Sequence, residues 1–228
     1  MHDLSTRPGD ASPLARADAV VLAAGESRRM GRPKMLLPWG DATVLEAVVA
    51  SLLAAPVDRV AVVLGHGADE HRAALGWLDA EPRVLVAHNP RCREGMLTSV
   101  QAGVTALLRG GGPAAGPGPF RPAGVLIALG DQPLITPGTV ARVLTGHGGG
   151  LTVPTFAGRR GHPICVDRRL LGPLLALAPE AGLRALFLQH PEAVAEVPVP
   201  TEEILLDVDT PDAYRRALAV LAQRKRGA

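Results

Sequence analysis

Short β-branched apolar runs alternate with stretches of helical period along most of this chain. Ala19 to Ala23 is the first such run, and it stops at Gly25. Arg59 to Leu64, Arg83 to Ala87 and Val125 to Leu129 repeat the pattern and are followed by Gly65, His88-Asn89 and Gly130-Asp131. Between them the pattern predicts helices from Thr43 to Ala54, Ala68 to Leu78 and Gly95 to Leu108. Thr43 is an N-cap with Glu46 at the capping-box position. Thr136-Pro137 and Thr210-Pro211 are two further helix starts, cap followed by proline. Gly150 to Pro154 and Pro163 to Val166 read as strands around a turn at Gly158. Leu183 to Gln189 reads as a helix, and Val194 to Val199 and Ile204 to Val208 as late strands. The last helix is expected to run to about Gln223.

Continuous apolar strands alternating with helices predict an α/β fold: one Rossmann-like three-layer domain on a mostly parallel mixed sheet. Ligands of such sheets lie beyond the carboxyl ends of the strands. Gly25, Gly65, His88-Asn89 and Gly130-Asp131 should therefore line one rim. Gly110 to Pro122, rich in Gly, Pro and Ala without periodicity, reads as a loop insertion. Residues 1–17 read as a disordered N-terminal tail, 18–223 as the domain and 224–228 as a basic C-terminal tail.

Composition narrows the classes. At 228 residues, 47% hydrophobic and 3% aromatic, the core must be built from Ala, Val and Leu. A net charge of +2 is too small to suggest nucleic acid or an acidic membrane as partner. Two cysteines, Cys92 and Cys165, make neither a disulfide framework nor a zinc spacing, so a reducing cytoplasm is the expected compartment. The N-terminus has no signal-peptide or anchor pattern. The Arg224-Lys225-Arg226 run reads as a solvated helix end.

Positive charge is concentrated instead after the first strand, in Arg28, Arg29, Arg32 and Lys34. Glycines and cations at a strand end suit a polyanion, above all a nucleotide triphosphate. The spacing fits neither a Walker A loop nor GxGxxG. It does fit Leu-Ala-Ala-Gly-x-Ser-x-Arg-Met-Gly-x-Pro-Lys over Leu22 to Lys34. This resembles the signature of the MobA/MocA-type nucleotidyltransferases of molybdenum cofactor maturation. Gly130-Asp131-Gln132-Pro133, Asn89-Pro90 with Gly95 to Ser99, Gly161-His162-Pro163 and Asp207-Val-Asp-Thr-Pro211 support the resemblance, which spans Ala19 to Tyr214 in chain order.

The resemblance implies transfer of a nucleotidyl group, assisted by Mg²⁺ on hard oxygen ligands. By itself a Gly-Asp such as Gly130-Asp131 is most simply an Asx turn; the resemblance makes Asp131 a metal ligand. Asp209 is the second ligand, with Asp207 the lesser choice. Strand alternation would put both acids on one face. Lys34 neutralises phosphates near the reacting centre, and Arg29 holds the leaving pyrophosphate. The catalytic set is thus Lys34, Arg29 and Asp131. Leu22, Ala23, Ala24, Gly25, Ser27, Gly31, Gly65, Asn89, Gly95 and Ser99 complete the implied nucleotide contacts. His162 faces the acceptor or is structural; Arg184 holds an anionic acceptor or is a helix-surface arginine.

Ala23-Ala24-Gly25 is similar to the cytidylyl-transferring branch. The expected reaction carries CMP from CTP to the phosphate of molybdopterin. GTP, or a phosphorylated sugar, alcohol or lactate, is the nearest alternative. A cofactor carrier that serves a molybdenum hydroxylase is the alternative of another class.

Overall fold

The computed structural model describes residues 16–110 and 123–227. Residues 1–15 of the expected tail and 111–122 of the expected insertion lie outside the described residues; Ala17, expected within the tail, opens β1 instead. The elements in chain order are β1 (Ala17–Ala23), β2 (Pro38–Trp39), β3 (Ala42–Thr43), α1 (Val44–Leu53), β4 (Val57–Leu64), α2 (Ala68–Ala74), β5 (Val84–His88) and α3 (Met96–Arg109). There follow β6 (Gly124–Leu129), α4 (Pro137–Thr145), β7 (Leu151–Phe156), β8 (Arg159–Arg160), β9 (Ile164–Asp167), α5 (Leu171–Ala176), α6 (Arg184–Gln189), β10 (Val194–Pro198) and α7 (Pro211–Gly227).

Strands run in the order β10-β7-β9-β6-β1-β4-β5, with β8 paired to β7. β1, β4, β5 and β6 are parallel neighbours, and β9 runs antiparallel between β6 and β7. This is the α/β, mostly parallel mixed sheet that the sequence predicts.

Alternation along β1 builds the two cores. Ala19, Val21 and Ala23 face α1 and α4 through Leu45, Val49, Val140 and Val143. Val20 and Leu22 face α3, α5 and α6 through Val100, Val104, Leu174 and Leu186. Both faces of the strand are covered, so no polar alternation is needed. At Gly103 a Cβ would stand 2.4 Å from Val20 Cγ1, so only glycine lets α3 lie this close to the sheet. A third cluster joins Met30, Trp39, Leu134 and Val208 to Ala217 of α7.

The caps form as expected. Thr43 Oγ1 accepts from Glu46 N at 3.3 Å, while the Glu46 carboxylate accepts in return from Thr43 N at 2.5 Å. Thr136 caps α4 with proline at the first turn. Three readings change. The helix from Ala68 breaks at Leu75 and continues as a 3-10 turn over Gly76–Asp79. Ile204 to Val208 is no strand: Glu202–Leu205 is a 3-10 turn followed by extended backbone. Ile204 O is instead taken by His162 N at 3.2 Å and by Gln132 Nε2 at 3.3 Å. Finally, α7 runs through Gly227, past Gln223.

Candidate active site

The parallel register puts the ends of four strands level. Ala23 pairs with Leu64, Leu64 with His88, and Leu22 with Leu129. The loops beginning at Ala24, Gly65, Asn89 and Gly130 therefore share one rim. β9 pairs antiparallel with β6, Ile127 opposite Ile164, so the Gly161-His162-Pro163 turn leaves the sheet at this same rim.

The first loop is tightly folded. Ser27 O accepts from Met30 N and Gly31 N, and Ser27 Oγ accepts from Lys34 N at 3.1 Å. Ser27 takes φ +53°, which is unusual for a residue with a side chain, and Gly31 takes +72°. Gly25 is not left-handed; a Cβ there would meet nothing within 4 Å, so this stretch of backbone is open to an approaching group. At Gly65 a Cβ would come within 2.7 Å of the Ala24 side chain and 2.9 Å of Cys92 Cβ.

Met35 anchors the end of the loop. It is buried, and its sulfur lies 3.1 Å from where a Cβ of Gly130 would stand. Packing Met35 beneath Gly130 carries Lys34 to Asp131. There the Lys34 ammonium meets Asp131 Oδ2 and, at 2.5 Å, Asp209 Oδ1. Arg29 pairs with the other oxygen of Asp209. The segment carrying Asp209 is tied down by Val208 N, which donates to Asp131 O at 2.9 Å. Lys34, Arg29, Asp131 and Asp209 are thus brought together from three separate parts of the sequence.

Burial pulls the Lys34 pKa down, but the Asp131 and Asp209 carboxylates outweigh it and hold it above the ordinary lysine value. Burial pushes Asp209 up, yet its bonds to Lys34 and Arg29 leave it below the usual carboxylate range. Asp207 is raised by burial and by the charges of Asp209 and Asp131, against Lys34 and Arg29. So Asp209 is the acid engaged by the cations, and Asp207 stands beside it. Burial alone lowers His162 to about 4, so its imidazole is neutral near neutral pH.

Other expected contacts are arranged differently. Asn89 and Ser99 are buried, and Asn89 Nδ2 donates to Thr98 Oγ1 and Ser99 Oγ at 2.9 Å each. Asn89 Oδ1 accepts from Arg91 N at 2.9 Å. These side chains join the end of β5 to the first turn of α3 and satisfy one another within the protein. Gly95, at φ +124°, is the N-cap of α3. Arg184 is exposed at the start of α6. Sequence reasoning missed Glu26, which pairs with Arg28 and, at 2.8 Å, with Arg93 across a cleft of ≈ 390 Å³. Cys92 and Gly25 also line that cleft. No local pattern marks Arg93, because its partner lies 67 positions away.

A rim of strand ends, a glycine-bearing basic loop and two carboxylates gathered on one lysine define the architecture of an NTP transferase. The sequence profile of the MobA-like NTP transferase domain matches residues 19–194, and the chain belongs to that family. Its enzyme class is nucleotidyltransferase. It is 27% identical over 201 residues to molybdenum cofactor cytidylyltransferase of Escherichia coli K12, covering 88% of this chain and 95% of the relative. It is 32% identical to nicotine blue oxidoreductase of Paenarthrobacter nicotinovorans, covering 87% and 95%. Among solved structures, Rv0371c from Mycobacterium tuberculosis H37Rv superposes with a TM-score of 0.72 at 35% identity, covering 90% of this chain and 98% of that one. A second structure of Rv0371c, with a TM-score of 0.66, is a complex with manganese. Among the described residues no helix is long and apolar enough to cross a membrane.

Proposed function

We propose that this enzyme transfers CMP from CTP to the terminal phosphate of molybdopterin and releases pyrophosphate, with Mg²⁺ held between Asp131 and Asp209. The observation that carries the reading is the convergence of both carboxylates on the Lys34 ammonium, with Arg29 bound to the second of them. The near full-length likeness to the Escherichia coli cytidylyltransferase supports the choice of base and acceptor.

The donor set suits a hard divalent ion. Two carboxylates already meet around a single cationic head. Among the described residues no cluster of three or more His, Cys, Asp or Glu gathers that could hold a metal ion. Mg²⁺ accepts this, since it takes one or two carboxylates and completes its shell with phosphate oxygens and water. Bound there, it would supply Lewis-acid stabilisation of charge on the reacting phosphate.

The chain's own groups do the rest. Lys34 carries its charge throughout, because the two acids hold its proton. A triphosphate competing for Lys34 and Arg29 would draw both cations from the carboxylates, and Asp131 and Asp209 would then be the residues to hold the metal. Arg29 offers a planar fork for the departing pyrophosphate, where Lys34 acts as a point charge. The acceptor phosphate is already ionised near neutral pH. No base is needed, which agrees with a His162 whose pKa, lowered to about 4 by burial, makes it a weak proton acceptor. Positioning and preorganised charge supply the rate.

Pyrophosphate release measured with each NTP, with and without molybdenum-loaded molybdopterin, tests this. Release only with CTP and only with the cofactor is expected. Release with GTP keeps the mechanism and replaces the base. The Paenarthrobacter relative favours a second reading, a redox reaction on a heterocycle. Oxidation of a reduced nicotinamide without pyrophosphate release would favour it over the first.

A further inference from the structure

Asp131 and Asp209 belong to segments 78 positions apart, and a shared metal demands that their separation be held. Two ties run directly between the segments: Val208 N to Asp131 O at 2.9 Å and Gln132 Nε2 to Ile204 O at 3.3 Å. A third element reaches both. Arg224, on α7, donates from one guanidinium nitrogen to Leu134 O at 3.0 Å, three residues beyond Asp131. Its other terminal nitrogen pairs with Glu203, six residues before Asp209. Neither anchor is loose. Leu134 is fully buried. The Glu203 side chain is 10% exposed, and its second oxygen accepts from Thr201 Oγ1 at 3.0 Å. Leu206 N then donates to Glu203 O at 3.2 Å, and the chain continues without regular secondary structure to Asp209.

We propose that Arg224 is a positioning residue which, from α7, clamps the Asp131 loop to the Asp209 segment and so sets the distance between the two metal-holding carboxylates. A guanidinium suits this task because its fixed planar fork serves two acceptors at once, whereas an ammonium has no such fork. Ala217 packs in the third cluster with Leu134 and Val208, so the apolar contact of α7 bears on the same two segments. The family profile ends at residue 194, so Arg224 and Glu203 lie outside the matched residues while Leu134 lies within them. The inference rests on the nucleotidyltransferase reading for its purpose, though its geometry stands apart from it.

The test follows binding and local opening as well as turnover. In Arg224→Met, Mn²⁺ binding to the intact chain, followed by electron paramagnetic resonance, should weaken about 10-fold or more. Hydrogen exchange at residues 206–209 should quicken. The Mn²⁺ concentration needed for activation should rise, while KM for the nucleotide at saturating metal stays unchanged. Arg224→Lys should fall between the two. Arg215→Ala, on the same helix but paired only with Asp212, should match wild type. If Arg224→Met fails to fold, Glu203→Gln breaks the same pair with little change of shape and should give the same three effects. Unchanged exchange at 206–209 together with unchanged Mn²⁺ affinity overturns the clamp. A wild-type chain that releases no pyrophosphate, while exchange still quickens in Arg224→Met, retires the transferase reading and leaves the clamp in place.

Discussion

β1 has a shielded cation at each end, and the two are used differently. At its start, Arg59 grips Asp18 through Nε at 3.2 Å and a terminal nitrogen at 2.6 Å. The remaining terminal nitrogen donates to Gly110 O at 2.6 Å. Beyond its end, Lys34 is shared by Asp131 and Asp209. The exposures are nearly equal, 14% for the Arg59 side chain and 12% for Lys34. Burial does not distinguish them; stoichiometry does. Arg59 and Asp18 are matched one to one and saturated. At the other end two cations, Lys34 and Arg29, face three acids, Asp131, Asp207 and Asp209. A saturated pair is architecture. Under the proposed function, a site with an excess of acid about one lysine would take a further cation together with phosphates.

The comparison can be broken at either end. The largest effect on folding is expected from Arg59→Met, which leaves Asp18 buried and unpaired and should cost about 3–5 kcal/mol. Urea unfolding measures it; the turnover of the folded fraction should not change. A loss of stability below about 1 kcal/mol would mean that Asp18 finds water or another partner. Asp131→Asn should do the reverse. Pyrophosphate release should fall about 10²–10³-fold, the scale of one preorganised electrostatic partner, with little change in the urea midpoint.

His162 sharpens the contrast, since it is shielded without any charged partner. Its folded pKa of about 4 lies below the ordinary 6.5, so the fold prefers the neutral ring. That preference is fully present above pH 6.5, and it is lost as pH falls from there to about 4. The shift corresponds to roughly 3 kcal/mol. Unfolding midpoints at several pH values should show the slope, and His162→Gln should flatten it. The smallest effect is expected where both partners are exposed: Arg72→Ala, which removes the pair with Asp79, should change stability by no more than about 0.5 kcal/mol.

Much of the rim was legible in the sequence, because its signals are local. An apolar run that stops at a glycine, a cap such as Thr43 with Glu46, and Thr-Pro at a helix start are each decided within a few residues. The alignment of Gly25, Gly65, Asn89 and Gly130 follows from parallel strands alone. What was not legible depends on distant partners. Ile204-Leu-Leu-Asp-Val has the composition of a strand. His162 and Gln132 take the Ile204 carbonyl, so a turn forms instead. Asn89 and Ser99 have the chemistry of ligand contacts, and nothing in their spacing says that each satisfies the other. Arg224 stands within a basic run and so reads as solvated. One signal was available: it falls on the helical face of Ala217 and Val220, seven and four positions earlier, and could have been read as half-buried.

The position of α7 imposes an order on the making of the enzyme. β1 and β4 to β9, with Asp131, the basic loop and Lys34, all precede Val194. Asp209 and Arg224 follow it. During synthesis most of the sheet can therefore close on the ribosome while the site still lacks its second carboxylate and the arginine that spans the two loops. On the proposed assignment, competence waits for Asp209 and α7, so a nascent chain still short of them would carry the basic loop and Asp131 without the second carboxylate.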